Sequence, residues 1–110
     1  MAYDEELAAR LRDHLEGEPG LAEKKMFGGL AFLIGGHMAV AAASQGGLLL
    51  RCDPADTDAH VTDPHAERFV MRSKAMDGWL RIDPAGLATD EALAGWADIG
   101  AAYARGLPPK

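Results

Sequence analysis

Few residues in this 110-residue chain have the chemistry to form a reactive site. Cys52 is the single cysteine, so no disulfide can form within the chain. It closes the apolar run Leu48-Leu49-Leu50-Arg51-Cys52 and stands just before Asp53-Pro54, a helix-start signal. A helix N-terminus lowers a thiol pKa and favours the nucleophilic thiolate. Burial at the end of an apolar strand gives an inert thiol instead. The stretch Asp58-x-His60-x-x-Asp63-x-His65 offers residue types that bind zinc. Its histidines lack the i,i+4 spacing of one helix face, Pro64 interrupts them, and no Cys-x-x-Cys accompanies them. The plainer reading is a polar short helix and turn, so neither metal nor cofactor is expected. Ser44 and Ser73 are the only serines, and neither lies in G-x-S-x-G. No pair of carboxylates is spaced for general acid and base work. The expectation is a non-enzymatic chain.

Charge narrows the partners. The net charge is −6 and the pI is near 5.0. A uniformly acidic surface would repel nucleic acid and anionic membranes. The acids are unevenly placed, however. None lies between Glu23 and Asp53, a stretch holding Lys24, Lys25 and Arg51; none lies between Glu67 and Asp77, where Arg68, Arg72 and Lys74 stand. One reading is a basic strand zone for phosphate, another anionic ligand or an acidic partner. The other is a set of solvated strand ends whose lysines block edge-to-edge aggregation. Nucleic-acid binding by so few cations would be weak and salt-sensitive. Gly28-Gly29 and Gly46-Gly47 do not match a phosphate loop. Glycines inside a strand mark a bulge or a close backbone approach.

The elements that must hold these residues follow from periodicity. A first helix is predicted from about Tyr3 to Glu16, with Asp4 as N-cap, a stripe of Leu7, Leu11, His14 and Leu15, and a Glu6–Arg10 pair. Lys24 to Leu33 reads as a strand region, Met38 to Ala43 as its return across a Gly35-Gly36 turn, and Leu48 to Cys52 as a third strand after Ser44-Gln45-Gly46-Gly47. A short helix from Pro54 to about Thr62 follows. Phe69 to Arg72 and Trp79 to Ile82 read as two more strands, with Ser73 to Gly78 as their link. Asp83-Pro84-Ala85-Gly86 has turn chemistry. The last helix, from about Asp90 to Arg105, is capped by Thr89. It carries a stripe of Leu93, Trp96, Ala97, Gly100, Ala101 and Ala104. The order α-β-β-β-α-β-β-α is not a strict βαβ alternation. It predicts one α+β domain over residues 1–110, in two layers with an antiparallel sheet.

A Gly35-Gly36 turn sets Leu33 against Met38 and Ala31 against Val40 on one face. Phe32 then meets Ala39, and Leu30 meets Ala41, on the other. Both faces are apolar, whereas a half-solvated strand alternates. Either helices cover both faces or a second copy does, and a homodimer is the expectation. The N-terminus has no basic and apolar segments of a signal peptide, and no apolar run reaches the ~20 residues of a membrane span. With one cysteine, a cytoplasmic location away from the membrane is expected.

The segment Lys24-Lys25-Met26-Phe27-Gly28-Gly29-Leu30-Ala31-Phe32 resembles the fingerprint of the TfoX/Sxy N-terminal domain family. Gly36-His37-Met38-Ala39-Val40 is similar to the same pattern, as are Phe69-x-Met71-Arg72-x-x-x-Met76-x-Gly78-Trp79 and the Asp83-Pro84 turn. The resemblance runs over about residues 3 to 109. It implies a two-layer α+β domain of the secretion-chaperone-like kind and a link to the regulation of DNA-uptake genes; together with the two-sided apolar hairpin it gives the expectation of a regulatory module acting through protein partners. It carries over no catalytic residues. Lys24, Lys25, Met26, Phe27, Gly28 and Gly29 hold its densest match; with Arg51, Arg72 and Lys74 they are the candidate interaction or ligand-binding residues.

Overall fold

Asp4 caps the first helix: its Oδ1 accepts from the backbone N–H groups of Glu6 and Leu7, at 3.0 and 3.1 Å. A computed structural model describes residues 3–26, 28–44, 46–71 and 73–108, and in it this helix, α1, spans Glu5–Leu15. Its buried stripe is Leu7, Ala8, Leu11 and Leu15. His14, expected within that stripe, is exposed and sets Nε2 2.8 Å from Oδ1 of Asp98. Arg10 reaches Asp90 across the helix pair, rather than Glu6 one turn back.

Six strands follow: β1 (Leu21–Met26), β2 (Gly29–Ile34), β3 (His37–Ala42), β4 (Leu48–Arg51), β5 (Ala66–Met71) and β6 (Lys74–Ile82). They form one antiparallel sheet in the order β1-β2-β3-β4-β6-β5. The region read as a single strand from Lys24 to Leu33 is therefore divided between two strands, the first ending at Met26 and the second starting at Gly29. The expected link from Ser73 to Gly78 is mostly strand as well. Met71 pairs with Lys74, and Ser73 just before Lys74 has φ +66°. Lys74-Ala75-Met76-Asp77 carries no β-branched or aromatic residue, which is why it did not read as strand.

Gly35-Gly36 forms the predicted turn, with φ of +61° and +87°. The pairs next to it, Ile34 with His37 and Leu33 with Met38, follow the expected register. Beyond them Phe32 pairs with Val40 and Ala31 with Ala41, not with Ala39 and Val40 as expected. Ala39 is the extra residue of a bulge. The bulge carries Ala39 to the helix side with Val40, while Met38 joins the other face.

Between β4 and β5 a 3-10 turn (Pro54–Asp56) runs into the short helix α2 (Thr57–His60). The buried Thr57 ties this corner together: Oγ1 donates to the Pro54 carbonyl at 2.8 Å and accepts from the Gly78 N–H at 2.7 Å. A second 3-10 turn, Pro84–Leu87, leads to α3 (Asp90–Gly106), whose cap Thr89 accepts from the Ala92 N–H. Leu93, Ala97, Gly100, Ala101 and Ala104 line its buried side. At Gly100 the helix backbone passes so close to the Ala39 carbonyl that no side chain would fit. Both long helices pack on one face of the sheet, giving two layers. Among the described residues no helix is long and apolar enough to cross a membrane.

Candidate functional site

The helix-free face of the sheet holds its own apolar cluster: Ala31, Met38, Ala41 and Leu49, with Met26, Phe69 and Trp79 packed against it. All four central residues are at most 5% exposed in the single chain. The second apolar face is thus largely covered from within the chain. Between Arg68 and Phe69 the β5–β6 register jumps, from the pair Arg68–Leu80 to the pair Phe69–Met76. The sheet is curved, because residues from its opposite edges, Met26 of β1 and Phe69 and Val70 of β5, border one cavity. The cavity measures about 160 Å³; Ala41, Leu49 and Arg81 also line it, and Gly29 and Ser44 stand at the β1–β2 end.

The candidate residues fall into different settings. Phe27 and Arg72 lie outside the described residues. Lys24 is exposed and pairs with Ala31, which places it in the helix-free face's row. Lys25 pairs with Leu30, a helix-side residue, and is exposed. Met26 is half-buried against the cavity. Gly28 has φ +77°, and a β-carbon there would lie 3.1 Å from Cβ of Ser44. A β-carbon on Gly29 would run into the carbonyl oxygen of Ala42. A left-handed backbone accounts for Gly28 and close backbone approach for Gly29. Lys74 is exposed at the β5–β6 turn, remote in register from Lys24.

Arg51 is built into the fold. Its guanidinium carbon lies 5.3 Å from the ring centroid of Trp79 and 5.4 Å from that of Tyr103, between a sheet residue and a helix residue. Arg68 donates Nε to Asp77 at 2.8 Å and Nη2 to Asp58, so its charge is spent on neighbours. The basic zone is accordingly distributed over both edges of the sheet. Lys24, Lys25, Arg51, Lys74 and Arg81 are the described basic residues that form no ion pair with a described carboxylate within 4.0 Å, the small cavity holding one of them, Arg81.

Sequence reasoning passed over Arg81. Its signal was present in Trp79-Leu80-Arg81-Ile82, where alternation puts Arg81 on the face of Trp79, opposite the buried Leu80 and Ile82. Its Nη2 donates to the Gly46 carbonyl at 3.0 Å, which fixes the head group by the β3–β4 turn.

The zinc-like stretch disperses. Asp58 bonds Arg68, His60 lies edge-on to Trp96 at 6.1 Å, Asp63 accepts from the His65 N–H, and His65 Nδ1 sits 3.0 Å from Asp83. Among the described residues no three His, Cys, Asp or Glu side chains group as metal ligands. Cys52 is 1% exposed, and burial pushes its thiol pKa up, against a smaller downward pull from the Thr57 hydroxyl.

A helix-backed antiparallel sheet with a covered second face defines a two-layer α+β domain. The model of the TfoX N-terminal domain family matches residues 13–104, most of the chain. The chain belongs to that family. No curated protein and no solved structure matched it.

Proposed function

We propose that this chain is a cytoplasmic, non-enzymatic regulatory module that acts through protein partners in transcriptional control. Family membership supports the reading, and one observation carries it. Val70 is 58% exposed, a large apolar side chain left in water on the edge strand β5. An edge strand offers unpaired N–H and C=O groups to an added strand, and exposed apolar side chains beside such an edge supply the contact area. A second copy is the simplest such partner. The homodimer expected from two apolar faces then rests on β5 and not on the helix-free face, whose centre is already buried.

The test is photo-crosslinking from a reactive amino acid at position 70 in growing cells. A discrete adduct with a transcription protein, or with a second copy, supports the reading, provided Val70→Asp in the same chain prevents the adduct of a probe at neighbouring position 68. Recovery of uncrosslinked chain alone, with a monomer mass at high concentration, rejects it.

A further inference from the structure

Register places Lys24, Ala31, Ala41, Leu49 and Arg81 in one row across five strands of the helix-free face. Cross-strand partners share a face, so the row is a cation, a low apolar floor, and a second cation. The small side chain of Ala41 sinks the floor beside Leu49, and Met26, Phe69 and Val70 stand around it. The resulting space of about 160 Å³ is comparable to the ~150 Å³ apolar cavity that accepts one benzene ring. It is too small for a nucleotide base with its sugar and phosphate. It has an apolar floor and a cationic end, which neither a purely apolar nor a cationic ligand would satisfy.

We propose that this cavity is a binding site for a small organic acid with a ring-sized apolar body, an aryl or branched alkyl carboxylate. The body would rest on Ala41 and Leu49 against Phe69, and the carboxylate would face Arg81. The Arg81 guanidinium suits this role for two reasons. One Nη2 bond to Gly46 already holds the head in place, so little side-chain freedom is lost on binding. Its planar fork retains further N–H donors that match a carboxylate in a bidentate way. Glu67 stands opposite Arg81 in the β5–β6 register, yet the two form no ion pair within 4.0 Å in the described residues. The charge of Arg81 is thus not already neutralised by an ion pair with Glu67. Lys24, at the other end of the row, adds a favourable long-range field on a chain whose net charge is −6. This inference concerns the isolated chain; it shares Val70 with the protein-partner reading but does not require that reading to hold.

The test is a titration of the purified chain with benzoate and cyclohexanecarboxylate, followed by amide chemical shifts. Benzamide and benzylamine serve as neutral and cationic shape controls. Saturable shifts confined to residues 41–44, 49, 69–70 and 81 are expected, with benzamide at least ~10-fold weaker, since a charge-assisted pair outweighs a neutral one. Arg81→Gln should weaken benzoate by a similar factor and leave benzamide unchanged. Equal binding of benzoate and benzamide, shifts centred elsewhere, or no saturable shift would each overturn the proposal. So would ligand-free shifts of these same amides on dilution, because a second copy would then be the occupant. The wild-type comparison of acid with amide decides the matter even where a variant fails to fold.

Discussion

The α-carbon hydrogen of Gly29 points at the carbonyl oxygen of Ala42, where a β-carbon would overlap that oxygen. The neighbouring atom is backbone in the centre of the sheet, so it cannot swing aside. Gly29→Ala should therefore destabilise the fold by ~2 kcal/mol or more, as overpacking of a rigid site does. Gly28→Ala meets a different obstacle, a left-handed φ of +77° and a side-chain neighbour, Ser44. It should cost ~1–2 kcal/mol. Urea midpoints of the two variants check both the order and the size. A Gly29→Ala variant as stable as the wild type would return the glycine pair to the list of ligand-contacting residues.

Much of this architecture was legible in local pattern. Leu7, Leu11 and Leu15 at helical spacing, and Leu93, Ala97, Ala101 and Ala104, mark the two helices that bury them. Gly35-Gly36 marks its turn. The bulge at Ala39 was not legible, because an alanine run, Ala39 to Ala43 around Val40, expresses no preference between faces. β1 escaped because Ala22-Glu23-Lys24-Lys25 is an exposed edge with no alternation. Arg81 could be assigned to a face by period-two reasoning. The cavity beside it could not, since it arises where Met26 and Phe69, far apart in sequence and strand order, come together.

Arg51 should be a stability residue before it is a binding residue. Its guanidinium lies against both Trp79 and Tyr103, linking β4, β6 and α3. Each such contact is worth ~0.5–1 kcal/mol when part-exposed. Arg51→Met keeps the aliphatic packing and removes the charge; it should lower stability by ~1 kcal/mol and change the near-UV circular dichroism of the aromatic bands. Arg51→Lys should recover only part of the loss, because an ammonium cannot stack its plane on a ring. No spectral change and no shift in midpoint would release Arg51 for an intermolecular role.

The acid limb of stability should report two exposed ion pairs made by helix arginines, one to the α1–β1 turn and one to β1. Arg105 donates Nε and Nη2 to Glu18, at 3.0 and 2.6 Å, and holds that carboxyl below its ordinary pKa; Arg12 does the same for Glu23. A depressed carboxyl pKa contributes stability above the unfolded value, and that contribution disappears as pH falls through the folded value. The stability gap between the wild type and Glu18→Gln should thus be largest near neutral pH. It should begin to close near the ordinary carboxylate pKa and vanish below the folded one. Both arginines are well exposed, so the gap is small in absolute terms and shrinks with added salt. A gap independent of pH would mean that Glu18 acts through packing alone.

Cys52 gives the sharpest opposition between two readings of one residue. Lying before a helix-start signal, its thiolate would be stabilised; lying 1% exposed, it is desolvated, and desolvation is the larger influence. The pKa is raised, so the folded state prefers the neutral thiol. Stability from this preference is complete below the ordinary thiol pKa and is lost as pH rises through the folded value. Two measurements follow. Labelling by a disulfide reagent at pH 8 should be at least ~100-fold slower in the native chain than in urea, since the thiol must wait for the core to open. The stability difference between the wild type and Cys52→Ala, which loses a buried sulfur beside Thr57, should narrow in alkali. Rapid native labelling would reverse the assignment, making the turn before α2 a place where a thiolate is held ready to react.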